Sequence, residues 1–305
     1  MIESLRRWGG QFANAPIVAV TPRLGPSLRT TTKQALQRLN VEYLHFIADN
    51  PYSWKSFLNR HYALLAVEQQ VNTELIGWID SDLLFLNHPH ELALKPHEDV
   101  AACPHDKNMG TSGPDDPHDP YWQAACHAVG LQIDQLPWVT TEVEQARIRL
   151  YWNGGVYIYR RSTQFAQHNL QTTLKLLNAR IASRAAGTFF TQHTLGMTTV
   201  QQGLCWKALP HSHNYGLGSK TLAQRYTPEK LKQAAILHYH DLMWMPHWET
   251  LLHILRDTHP EVADWLAPQG PLSDQLPFHW QVINKAFKVT RAWQGKRYQQ
   301  SCRVI

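Results

Sequence analysis

The amino-acid sequence predicts an α/β protein: a mainly parallel sheet with helices on its faces, closed by a basic helical tail. Three observations carry this. Strand and helix signals alternate from Pro16 to Ile79 in the order βαβαβ, which implies parallel pairing. The run "LIGWI" from Leu75 to Ile79 is wholly apolar or glycine, as a buried strand requires. A chain of 305 residues, 43% hydrophobic and with 12 tryptophans, has material for one large core or two modest ones.

The elements follow in order. "PIVAV" (Pro16 to Val20) reads as a short buried strand ending in a Thr-Pro-Arg turn, and "SLRTTTKQALQRLN" after it as a helix. "VEYLHFIA" has the β-branched and aromatic content of a strand. Ser53 to Val71 gives the strongest helix signal, with Ser53 as its cap, and the Leu75–Ile79 strand follows. Residues 104–120, rich in Pro, Gly and Asp, read as a mobile surface loop bordering a site. "YWNGGVYIYRRS" (Tyr151 to Ser162) supplies a further strand, and Thr163 to Ala182 a helix. "AAILHYHDLMW" (Ala234 to Trp244) supplies a late strand. The expected division is a main domain over 1–250 and a helical extension over 251–305.

The chemistry concentrates where the Leu75–Ile79 strand ends. Asp80 and Asp82 flank Ser81, and the apolar run resumes at Leu83. A turn explains such residues at a strand end. A metal explains them too: residues two apart on a strand face one way, and a hard dication takes carboxylate oxygens. His238 and His240 repeat the spacing at the end of the late strand, in a chain of 18 histidines. No cysteine pair has ligand spacing, and this absence of soft sulfur favours Mn²⁺ or Mg²⁺ over zinc.

Charge and hydropathy bound the partners. The net charge is +5, and the basic residues are scattered until "NKAFKVTRAWQGKRYQQ" (Asn284 to Gln300), which has no acid. This tail suits an anionic lipid surface and, equally, a solvated terminal helix. Nucleic acid is not expected, since no basic stripe with regular aromatics appears elsewhere. The sequence shows neither a secretory leader nor a run of about 20 apolar residues. The four separated cysteines suit reduced thiols, so a cytoplasmic location is expected, with peripheral contact to the inner face of the membrane.

Four blocks together give a resemblance. "WIDSDLLFLNHP", "YWNGGVYIY", "FFTQHTLGMTTVQQGLCWKALPHSHNYG" and "ILHYHDLMW" resemble, in order and spacing, the motifs of GT-A fold nucleotide-sugar glycosyltransferases. They are most similar to the retaining family 8, which includes glycogenin and bacterial lipooligosaccharide galactosyltransferases. The resemblance implies a Rossmann-like GT-A domain that moves a sugar from a nucleotide-diphosphate donor, a UDP-sugar, to an acceptor that could be a glycan, lipid-linked sugar, protein or small molecule. It implies that Asp80, Asp82 and His238 hold Mn²⁺ or Mg²⁺, with Asp80 also meeting ribose. Gln192 would stand beside the anomeric carbon, and Asn153 and Gly155 would line the donor-sugar or acceptor pocket. Arg60 and Ser81 would meet the donor, and Val20, Thr21 and Arg23 would lie near its base.

The chain departs from the family's motifs at Thr191 and His193, where the family has aspartates. It departs again at Asp241 and Trp244, where the family has Gly and Lys; Lys220 or Arg225 could replace the missing cation. Two other classes remain open. One is a zinc hydrolase using His211, His213, His238 and His240, and the other a nucleotide-sugar binder without turnover.

Overall fold

The computed structural model describes residues 1–104, 106–183, 190–273 and 276–305; His105 and the side chains of Phe190 and Thr191 lie outside that description. Helix α1 (Ile2–Trp8) precedes β1 (Ile17–Thr21), α2 (Thr30–Arg38) and β2 (Val41–His45). β1 and β2 pair in parallel, Ile17 opposite Val41 and Thr21 opposite His45. α3 runs Asn59–Gln70 and leads to β3 (Leu75–Ile79). Ser53 does not cap α3: a 3-10 turn at Ser56–Leu58 intervenes, and the neighbouring Trp54 packs on Tyr298 with ring centroids 4.9 Å apart. A tertiary contact thus holds this segment out of the helix that its local sequence favours.

Next come β4 (Leu83–Phe85), β5 (Val100–Cys103), α4 (Asp119–Val129), the hairpin of β6 (Trp138–Thr140) and β7 (Arg147–Arg149), and β8 (Asn153–Arg160). α5 (Phe165–Asn178), β9 (Ile181–Ala182), α6 (Phe190–Gln201), β10 (Trp206–Ala208) and β11 (Tyr215–Gly216) follow. The chain continues through α7 (Leu222–Arg225), α8 (Pro228–Lys232), β12 (Ile236–His238), α9 (Trp248–Thr258) and α10 (Pro260–Leu266). It ends with α11 (Phe278–Gln300) and β13 (Arg303–Val304), which pairs with β9.

The α/β class is as the alternating signals predict, but the pairing is mixed rather than mainly parallel. The central sheet has the order β10-β5-β8-β3. β10 runs parallel to β5, while β8, entered directly from the β6–β7 hairpin without a helical crossover, runs antiparallel to both β5 and β3. Both faces are covered, and the alternation of each strand shows it. Val100, Ala102, Tyr157 and Tyr159 pack with Trp122 and Phe165 on one side. Ala101, Cys103, Val156 and Ile158 pack with Leu83, Phe85 and Ile236 on the other. A second sheet, β11-β12-β4, shares a core with Trp248, Leu251 and Leu255 of α9 and Val262 of α10. The chain steps from the first sheet to the second between β3 and β4, through Asp80, Ser81 and Asp82.

The loop after β5 is tied down rather than loose. Lys107 pairs with Asp116 at 2.7 Å, and Thr111 donates to Asp119 at 2.8 Å. Asp116 also accepts from the Ser112 backbone N–H at 3.0 Å. Buried carboxylates organise this segment, which its Pro and Gly content alone does not convey.

Candidate functional site

Asp80 to Asp82 form a turn, so strand alternation does not apply to them, and the two carboxylates have different surroundings. The Asp80 backbone N–H donates to the Gly155 carbonyl at 2.9 Å, extending the β3–β8 ladder by one residue. Its Oδ1 accepts from the Trp78 indole N–H at 2.6 Å and stands 4.0 Å from the Arg60 guanidinium. Arg60 in turn lies over the Trp78 ring, 5.4 Å from the centroid, and donates to the Gly154 carbonyl.

Asp82 faces the second sheet. Its Oδ2 lies 3.1 Å from His238 Nε2 and 3.9 Å from His240 Nδ1. Burial alone would raise the Asp82 pKa, but the His238 hydrogen bond and the two imidazoles outweigh it and hold the carboxyl below its usual range. His240 is pushed down to about 4 by burial and by His238. The two rings are 4.1 Å apart, and His240 sits at φ 47°, a left-handed conformation uncommon for a non-glycine residue. That turn aims the second ring at the carboxylate its neighbour already faces.

A chain of amides orients His238. Asn153 Oδ1 accepts from the Gly155 N–H and from Asn214 Nδ2, each at 2.8 Å. Asn214 therefore presents its oxygen to His238 Nδ1, 3.0 Å away, and that nitrogen carries the proton. Nε2 is left to face Asp82, as in a metal-ligating imidazole held from behind by a hydrogen bond. Gly155 is a glycine for a packing reason: a Cβ there would lie 2.8 Å from His238 Cε1. At Gly154 a Cβ would lie 2.2 Å from Arg60 Nη1.

The donor set fits a divalent cation. Asp82, His238 and His240 each offer a ligand atom, and these atoms lie within 4.8 Å of one another. The His238 side chain is 8% exposed, whereas Asp82 at 39% and His240 at 44% leave one side of the cluster reachable from solvent.

The other expected residues divide by place. Gln192, at the start of α6, approaches Gly154, and its Oε1 accepts from the Tyr151 hydroxyl at 2.9 Å. Burial pushes the Tyr151 pKa up, so the phenol stays a donor. Asn153 spends both lone pairs of its amide oxygen within the protein. Val20 and Thr21 pair with Leu44 and His45 of β2, and the Arg23 carbonyl lies 3.2 Å from His45 Nε2. β1, which carries Val20 and Thr21, lies against α3, the helix that carries Arg60. Ser81 is exposed, and its carbonyl lies 3.4 Å from the Tyr239 hydroxyl.

His193 is fully buried among Tyr121, Trp122 and Tyr151, with centroids 5.0 to 5.5 Å away, so it belongs to the core. The Thr191 side chain is outside the described residues. Arg225 pairs with Asp106 at 3.0 Å, Lys220 is exposed, and Asp241 accepts from the Ser219 N–H at 2.8 Å.

The four histidines of the hydrolase reading do not converge. His211 packs on Tyr215, 4.8 Å between centroids, and His213 Nε2 accepts from the Glu91 N–H at 3.2 Å. Sequence reasoning missed Trp78 and Asn214 and left His240 undecided. The signal for Asn214 was the Asn-Tyr pair at the start of β11.

Comparison with known proteins adds the following. Residues 1–203 match the profile of the Rhodobacterales glycosyltransferase domain. That span holds Asp80, Asp82, Asn153, Gly155 and Gln192, while His238 and His240 lie beyond it. No curated protein matches. Among solved structures, the chain is similar to the glycosyltransferase GlyE of Streptococcus pneumoniae TIGR4, at 15% identity and a TM-score of 0.46 over 90% of this chain. It spans 62% of that chain, and 61% of the apo form of the same protein. It is also similar to mouse xyloside xylosyltransferase 1, at 13% identity and a TM-score of 0.37, covering 68% of this chain and 79% of that one. With two thirds of its length matched to one profile, the chain belongs to the Rhodobacterales glycosyltransferase domain family.

Proposed function

We propose that this protein is a metal-dependent glycosyltransferase of the GT-A type, which moves a sugar from a UDP-sugar to an acceptor with retention of anomeric configuration. The observation that carries the reading is the meeting of Asp82 and His238, 156 residues apart in sequence and 3.1 Å apart in space. A dication bound there supplies Lewis acidity to a departing diphosphate. The chain's own residues supply the rest. Arg60, fixed by Gly154 and Trp78, offers positive charge beside the turn. Gln192, held by Tyr151, keeps one lone pair of its oxygen for a developing positive charge.

A thermal-shift panel of nucleotide sugars with and without Mn²⁺ tests this. The true donor should raise Tm only with the metal; at a hundredfold excess over Kd the stabilisation is about 2.7 kcal/mol. NMR of the product anomer then tests retention. Tight zinc binding with no nucleotide-sugar shift would favour the hydrolase class instead, and a donor shift without any turnover would favour a binder.

We also infer that α11 rests on an anionic lipid surface. Phe278, Val282, Val289 and Trp293 are all at least half exposed. At 100° per residue they fall within an arc of about 60°. Lys296 lies on that arc and Lys285 about 20° beyond its edge, and the helix carries no acid. The opposite side anchors the helix: Tyr298 packs on Tyr52 and Trp54 and donates to the Leu177 carbonyl at 2.7 Å. Among the described residues no helix is long and apolar enough to cross a membrane.

A further inference from the structure

The Asp-Ser-Asp turn sends its two carboxylates to different partners, and this division bears on which groups hold the ion. Asp80 Oδ1 is engaged by the Trp78 indole N–H at 2.6 Å and faces Arg60 at 4.0 Å. A carboxylate so placed is already compensated. Asp82 Oδ2, by contrast, faces two imidazole nitrogens. We propose that the ion is held by Asp82 Oδ2, His238 Nε2 and His240 Nδ1, with Asp80 outside its coordination shell. His240 is thereby a ligand, and the site prefers a nitrogen-accepting dication such as Mn²⁺, Co²⁺ or Zn²⁺ over Mg²⁺. This rests on the metal-dependent reading above.

Three observations support it. The Asn153–Asn214 relay holds His238 so that Nε2 faces a carboxylate oxygen at 3.1 Å. A positive centre between the two, a proton or an ion, holds such a pair together. A shared proton would serve a single nitrogen, but a second imidazole nitrogen stands 3.9 Å from the same oxygen. His240 reaches that position only by adopting φ 47°, a backbone placement that costs about 1 kcal/mol or more in a non-glycine residue. Finally, one carboxylate with two imidazoles is a donor set that suits first-row transition dications, more strongly for Co²⁺ and Zn²⁺ than for Mn²⁺. Magnesium prefers oxygen ligands and retains its water.

The test is calorimetric titration of the full chain with MnCl₂, CoCl₂, ZnCl₂ and MgCl₂, with and without UDP, for the parent and for His240→Asn and Asp80→Asn. Asparagine tolerates the left-handed backbone, so H240N removes the ligand and keeps the turn. H240N should weaken Mn²⁺ and Co²⁺ binding by about tenfold or more, with D80N within about threefold of the parent. Pulsed EPR of the Mn²⁺ complex should report two coupled imidazole nitrogens in the parent and one in H240N. A D80N loss of tenfold with H240N unchanged, or a single coupled nitrogen in the parent, would overturn the assignment and leave metal dependence intact. Absence of binding by the parent to every ion, with and without UDP, would sink the underlying reading itself.

Discussion

The junction between β3 and β4 and the terminal helix α11 are built on opposite terms. At the junction, Asn153, Asn214, His238 and Asp82 form one hydrogen-bonded series, and His238 and Asn214 are buried. Along α11 no residue is buried, and the helix is held chiefly by its last turns against Tyr52 and Trp54. Where polar groups are withdrawn from water, each one fixes the next, and a single change is felt by the whole series. On a surface helix each side chain answers to solvent, and changes add independently.

The sharpest way to break the contrast is Asp82→Asn. It leaves two imidazoles facing a neutral amide, and the metal-dependent part of the thermal shift should vanish. Turnover should fall on the order of 10³-fold, about 4 kcal/mol of transition-state stabilisation. A mutant that keeps its Mn²⁺ shift and its rate would remove Asp82 from the site. Next in size is Gly155→Ala, whose methyl would lie 2.8 Å from His238 Cε1. Overpacking of this kind costs about 1–3 kcal/mol. Urea denaturation should show the loss, and metal affinity should fall with it; loss of stability alone would separate packing from function.

A pH series probes burial more broadly. His213 and His259 are pushed down to about 4 and His193 to about 3, chiefly by burial. Unfolded, each titrates near 6.5, so below that value the unfolded chain binds more protons and the folded state loses ground. The urea midpoint should therefore hold above pH 7 and fall steadily from about 6.5 towards 4. A flat profile over that window would show these rings to be hydrated. The smallest effect on stability belongs to α11. Lys285→Glu with Lys296→Glu should shift unfolding by under about 0.5 kcal/mol. The same pair should markedly reduce co-flotation with vesicles containing anionic lipid and leave that with neutral vesicles unchanged. Equal binding to both vesicle types by the parent would remove the lipid-charge argument.

Much of the molecule could be read locally. Strand Leu75–Ile79 lies where its apolar run predicts, although it is the edge strand of its sheet and only Ile76 in it is buried. The helix expected over 163–182 appears as Phe165–Asn178, and the late strand as Ile236–His238. The Asp-x-Asp stretch and the His-x-His stretch were both visible as places where charge or imidazole follows a strand. The antiparallel course of β8, the start of α3 and the anchored loop after β5 were not visible. The first two depend on partners far along the chain, such as Tyr298 for Trp54, and the loop on burial of its own carboxylates, Asp116 and Asp119.

By itself, the sequence determined the α/β class, the strands and helices with strong periodic signals, and the two segments that carry the chemistry. The tertiary structure alone decided which of their side chains meet. Asp80 and Asp82 are alike in sequence and differ in fate because a turn, not a strand, holds them. One then falls beside Trp78 and Arg60, the other beside His238 and His240. The physical reason is that residue spacing sets direction only while the backbone is regular; at the junction of two sheets, packing of the neighbouring strands sets it instead.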